Sequence, residues 1–228
     1  MLVRASPFLE KVRNVFIIKE EIIMYVVENN FNGGVLVPVE AKLSQKRIIF
    51  VEGEINAQKA DEFAKQMMYL VLENGNEPIT VLINSNGGEL DAGLKMCDVV
   101  SECPCKVDAY CFGKAYSMAA ILFESVNGDR NMVGHSKLMF HQPSIYGMNS
   151  GTVEEVEELS KQLKEKNELL LSIVAKRSNM SVSKLKKETE KDRYYDAKEA
   201  KEAGLTDHVV TFRDVLVNNS LFIDKENV

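Results

Sequence analysis

Residues 78–101 read PITVLINSNGGELDAGLKMCDVVS. The run Pro78–Asn84 is short, largely apolar and rich in β-branched side chains, with no regular polar alternation. Such a run reads as a strand buried on both faces, the kind found in parallel sheets. Ser85-Asn86-Gly87-Gly88 then reads as a turn and Leu90–Ser101 as a helix. A strand followed at once by a helix asks for a parallel neighbour strand, so this stretch sets the fold class.

The flanking sequence repeats the unit. Upstream, Lys46–Glu52 (KRIIFVE) reads as a strand. Asn56 is placed to cap a helix over Ala57–Glu73, whose Ala60, Phe63, Ala64, Met67 and Val71 follow helical spacing, with Gly75 beyond its end. Downstream, Lys106–Cys111 reads as a strand and Tyr116–Glu124 as a helix, followed by two short apolar runs, Arg130–Val133 and Lys137–Phe140. The alternation predicts an α/β fold of βαβ units with largely parallel strands. Past His141 the pattern changes. Residues 145–151 read as extended and carry Gly, Asn and Ser, and Thr152 opens a long helix to about Lys176 with Glu155 completing a capping box. Val153, Val156, Leu159, Leu163, Leu170 and Val174 form its apolar stripe. Asp196 caps a short helix to Ala203, and Gly204 stops it. No internal repeat is visible, and the sequence beyond Thr211 suggests no element.

Bulk properties narrow the function. A chain of 228 residues with 45% apolar side chains supports a full core. A net charge of −6 and a pI of about 5.3 argue against a nucleic-acid surface, which is usually basic. No apolar run reaches the roughly 18 residues of a membrane span. The first residues are broken by Lys11, Arg13, Lys19, Glu20 and Glu21, unlike a secretory signal, so a cytoplasmic protein is expected. Cys97, Cys103, Cys105 and Cys111 have a spacing unlike that of zinc sites, so no metal and no cofactor are expected and the thiols read as reduced.

Four features could carry chemistry, and each has a plain structural reading. Gly87-Gly88 between strand and helix can bring backbone N–H groups to an anion, or merely turn the chain. Ser117 sits near a helix start, where a hydroxyl is exposed in a positive field, or merely caps the helix. His141 stands at a strand end before Gln142-Pro143, and Pro143 has no N–H for a ladder. Asp192 alone would be a solvated charge. Their order is suggestive: glycine cradle, hydroxyl, imidazole, carboxylate. A serine is a weak nucleophile until a base takes its proton, the base needs an orienting acid, and the oxyanion needs N–H donors.

The stretches KRIIFVEGEI (46–55), INSNGGELDAGLKMCDVV (83–100), CFGKAYSMAA (111–120), KLMFHQPSIYG (137–147) and EKDRYYDAKEAKEAGLTDHVV (190–210) together resemble the ClpP family, the proteolytic subunits of the Clp protease, from about Tyr25 to Val210. That resemblance implies a crotonase-like α/β fold with a protruding handle strand and long helix over about 144–176. It implies a protease domain over 25–211, an N-terminal extension over 1–24 and a tail over 212–228. By position, Ser117 resembles the nucleophile, His141 the general base and Asp192 the orienting acid. The N–H groups of Gly88 and Met118 resemble the oxyanion hole. Gly87, Ile145, Tyr146 and Gly147 resemble the strand edges that bind substrate backbone. The resemblance also implies polypeptide substrates, a homo-oligomer of two stacked heptameric rings and an AAA+ unfoldase partner.

Several positions depart from the family pattern. Ser85-Asn86-Gly87-Gly88 replaces S-P-G-G, and Tyr116 stands where a small residue is usual, so it is expected to narrow the first substrate pocket. Ala119 replaces a glycine. Thr80, Leu82, Glu102 and Asn131 occupy positions where aromatics usually line the unfoldase-docking pocket, so that pocket is expected to be eroded. Three alternatives stay open: an ATPase-independent protease such as a capsid-maturation enzyme, a regulatory ring subunit, and a coenzyme A-binding enzyme of the crotonase type.

Overall fold

The computed structural model describes residues 24–30, 33–144 and 151–218. The chain divides into two compact units between Ile49 and Phe50. In the first unit, strands β1 (Tyr25–Asn30) and β2 (Gly33–Pro38) pair antiparallel, from Tyr25 opposite Pro38 to Asn30 opposite Gly33. A short helix α1 (Val39–Ser44) follows, and Lys42 pairs with Glu28 of β1.

The second unit carries the sheet expected from the sequence. Strand β3 (Ile48–Ile55) leads to α2 (Ala57–Glu73), which has the predicted bounds: the Asn56 side chain accepts from the Lys59 N–H at 2.9 Å. Ala60, Phe63, Met67 and Leu70 form its buried stripe, with Leu70 inside rather than Val71. Then come β4 (Ile79–Gly88), α3 (Leu90–Ser101), β5 (Val107–Tyr116), α4 (Met118–Ser125), β6 (Arg130–Val133) and β7 (Lys137–Phe140). The long helix α5 (Val153–Arg177) has the predicted capping box: Thr152 Oγ1 accepts from the Glu155 N–H, and the Glu155 carboxylate accepts from the Thr152 N–H. The chain continues with α6 (Val182–Glu188), β8 (Arg193–Asp196), α7 (Ala197–Ala203), β9 (His208–Val210) and α8 (Phe212–Asn218).

The sheet of the second unit has seven strands among the described residues, in the order β3-β4-β5-β6-β9, with β7 joining β5 and β8 joining β7. The β4/β5, β5/β6, β5/β7 and β6/β9 ladders are parallel and β7/β8 is antiparallel. The sheet forks at β5. Residues 109–111 pair with β6 and residues 114–116 with β7, and Gly113 between them takes φ +109°.

Three sequence expectations need correction. Ser85–Gly88 is not a turn but the end of β4, because Ser85 Oγ accepts from the Gly87 N–H at 3.0 Å and ties the segment to the Gly53 carbonyl. Tyr116 ends β5 instead of starting a helix. The sequence after Thr211 does form an element: Thr211 and Asp214 cap α8, which buries Val215 and stacks Phe212 on Phe112 with ring centroids 5.6 Å apart. The expected handle strand, residues 145–151, lies outside the described residues except for Gly151. Among the described residues no helix is long and apolar enough to cross a membrane.

Candidate active site

The sheet register brings the three predicted side chains to one edge. Tyr116 of β5 is opposite Met139 of β7, so Ser117 and His141 leave the C-terminal ends of adjacent parallel strands. Phe140 of β7 is opposite Arg193 of β8, so the next residues outward on that antiparallel pair are His141 and Asp192. C-terminal strand ends of an α/β sheet are the usual place for a site.

Ser117 is the residue before α4, and its backbone is φ 53°, ψ −124°, a conformation that non-glycine residues rarely adopt. The Ser117 N–H holds this turn by donating to the Met139 carbonyl at 2.8 Å. Its hydroxyl does not cap the helix. It lies 2.7 Å from Nε2 of His141 and donates to it when the neutral imidazole carries its proton on Nδ1. Strain at such a turn lifts the hydroxyl clear of the backbone.

His141 Nδ1 and Asp192 Oδ1 are 4.0 Å apart, longer than a hydrogen bond, and the Asp192 side chain is 59% exposed. The structure therefore brings Asp192 to the imidazole but leaves it solvated. Catalytic hydrogen bonds are often long before substrate binds.

Gly87 and Gly88 pack where no side chain fits. A Cβ on Gly87 would lie 2.6 Å from the Tyr116 carbonyl and 2.8 Å from the Met118 nitrogen, and one on Gly88 would lie 2.0 Å from the Ile55 carbonyl. The end of β4 is thus laid directly against the Ser117–Met118 turn. Met118 is the first residue of α4, so its N–H has no acceptor within the helix. Ile145, Tyr146 and Gly147 lie outside the described residues.

Two cavities open on Ser117. One is small and mainly apolar, lined by Leu90, Met118, Ile121, Phe140, Leu170 and Leu171. The other, of about 600 Å³, is lined by Ser117 and His141 together with Glu54, Glu89 and the ion-paired Lys166 and Asp91. Apart from Met118, the sequence reading did not name these lining residues as part of the site, although Phe140 and Leu90 sit one and two positions from predicted site residues. Tyr116 lines neither cavity. Its ring meets Tyr194 edge-on at 5.5 Å, so among the described residues it narrows neither of these two cavities.

The expected docking positions also differ. Thr80, Leu82 and Asn131 are buried, because β4 is covered on both faces and the Asn131 amide donates to the Ala109 and Asp129 carbonyls. Only Glu102 of the four is exposed.

The far end of α4 holds a second polar cluster. Glu124 is enclosed and bonded to Arg130, which also grips Asp207 through Nε (3.1 Å) and Nη2 (2.8 Å). Arg177, the last residue of α5, donates to Asp207 at 3.0 Å and to the Gly128 carbonyl at 2.8 Å. Burial pushes the Glu124 carboxyl up to about 8 against the pull of Arg130. Burial also opposes ionisation of Asp207, but the bonds from Arg130 outweigh it and hold that carboxyl down at about 2. Among the described residues no group of three or more His, Cys, Asp or Glu side chains is placed to hold a metal ion.

Compared with known families, the chain matches the one described as Clp protease over residues 32–213.

Proposed function

The chain belongs to the Clp protease family, and from that premise we propose that it is a cytoplasmic serine endopeptidase that cuts unfolded polypeptides within a ring assembly. The observation that carries the reading is the 2.7 Å contact between the Ser117 hydroxyl and His141 Nε2 on a strained, part-buried turn. In this mechanism His141 takes the Ser117 proton as Oγ attacks the scissile carbonyl, then passes it to the leaving amine. Asp192 fixes the tautomer that presents a bare Nε2 and balances the imidazolium. The N–H groups of Gly88 and Met118 receive the oxyanion. Gly87, Ile145, Tyr146 and Gly147 offer backbone to an extended substrate, a mode that ignores side-chain identity.

Selectivity then comes from the cavity formed by Leu90, Met118, Ile121, Phe140, Leu170 and Leu171, which favours an apolar side chain next to the cleaved bond. Assembly into stacked rings gives a use to the first half of α5. Val153 is 70% and Val156 45% exposed, whereas Leu170, Leu171 and Val174 are already buried within the chain. Coupling to an AAA+ unfoldase is expected to be weak, since the exposed residue at the docking positions is the acidic Glu102.

The test is turnover of a fluorogenic peptide with an apolar residue before the scissile bond. Ser117→Ala should lower it by at least about 10³-fold with the native mass unchanged. Turnover that survives the substitution would remove Ser117 from the mechanism.

A further inference from the structure

The four thiols are of two kinds. Cys97 and Cys111 are buried, and burial pushes both up to about 12, so neither supplies a thiolate at neutral pH. Cys103 and Cys105 lie in the link between α3 and β5, with Cys103 part-exposed, Cys105 buried and their Sγ atoms 3.4 Å apart. Pro104 between them has its φ fixed near −65° by its ring. Asn127 clamps the link: its Nδ2 donates to the Cys103 carbonyl at 2.9 Å and the Cys105 carbonyl at 3.0 Å, and its Oδ1 accepts from the Val107 N–H at 2.7 Å. The two sulfurs are therefore held in contact by the chain itself. Bond formation brings the two sulfurs from 3.4 Å to about 2.05 Å.

The geometry points to Cys103 and Cys105 as a reversible dithiol–disulfide site that reacts with low-molecular-weight disulfides of the glutathione class. Cys103, the part-exposed member, attacks one sulfur of the small disulfide as thiolate and releases one thiol. Cys105 then attacks Cys103 Sγ in the mixed disulfide and releases the second thiol. The protein loses two electrons and two protons, and the small disulfide becomes two thiols. The closed loop spans only three residues, so the bond gains little from loop entropy. It belongs with the labile disulfides that a reducing thiol pool reverses.

The test is incubation of the full chain with oxidised glutathione, acid quenching, alkylation and digestion with trypsin. One tryptic peptide, Met96–Lys106, carries Cys97, Cys103 and Cys105. After oxidation it should take one alkyl group, on Cys97, and weigh two hydrogens less, and excess dithiothreitol should restore three alkyl groups. Cys105→Ser should trap one glutathione on Cys103, and Cys103→Ser should take none. Alkylation of Cys103 after oxidation, an adduct on Cys97 or Cys111, a disulfide between subunits, or an unmodified Cys105→Ser protein would overturn the assignment.

Discussion

At one end of α4 the Ser117 hydroxyl meets an imidazole whose carboxylate stands 4.0 Å away in solvent; at the other end Glu124 is enclosed with Arg130, which Asp207 grips in turn. One short helix thus separates two polar clusters of opposite character. The Glu124–Arg130–Asp207–Arg177 cluster joins α4, β6, α5 and the residues leading into β9, and its bonds are short. It fixes the frame. The Ser117–His141–Asp192 cluster is part-open, with the His141 side chain 27% and the Asp192 side chain 59% exposed. The contrast follows from desolvation. Ions enclosed in protein must be paired, whereas a solvated carboxylate tolerates distance.

The largest effect should come from the enclosed cluster. Arg130→Met removes the donor to Glu124, to Asp207 and to the Arg177 carbonyl, and each buried acceptor left unsatisfied costs about 1–3 kcal/mol. Urea unfolding measures it, and a loss below about 1 kcal/mol would mean that the cluster behaves like a surface ion pair. Asp192→Asn should act on rate instead, with a loss of about 10²-fold, smaller than that at Ser117 because the carboxylate is solvated and 4.0 Å from the ring. Unchanged turnover would leave Asp192 as a surface charge.

The smallest effect concerns Glu124. Its carboxyl in the folded chain sits at about 8, above the ordinary 4.5, so the folded state holds a proton that the unfolded state releases. That contribution is complete below pH 4.5 and is lost as pH rises towards 8. Glu124→Gln should therefore change stability by less than about 1 kcal/mol at neutral pH and flatten the decline in urea midpoint between pH 5 and pH 8. A large loss at neutral pH would mean that Glu124 is ionised in the fold.

Much of this molecule was legible in its sequence where local rules decide. The Asn56 cap and the Thr152–Glu155 box set the starts of α2 and α5, and the family motifs gathered Ser117, His141 and Asp192 before any register was known. The unread part was mostly non-local. β4 and β5 run past their expected ends because each finds a pairing partner there, which propensity does not report. The backbone of Ser117 is set by the Met139 carbonyl, a contact across strands. The enclosed cluster joins residues 6, 30, 47 and 77 apart in sequence. It left one trace: Glu124 is a single charge in the otherwise uncharged helix MAAILFES. The Thr211–Asp214 cap of α8 was readable and was missed, since the apolar pattern after it is too short to announce a helix.

The most direct test of the account is covalent labelling of the intact protein with a fluorophosphonate, which reacts with an activated serine, followed by peptide mass spectrometry of the wild type and of His141→Ala. The account predicts one adduct, on Ser117, and its near-complete loss in His141→Ala while the native fold persists. An adduct on another serine, or equal labelling of Ser117 without His141, would contradict it.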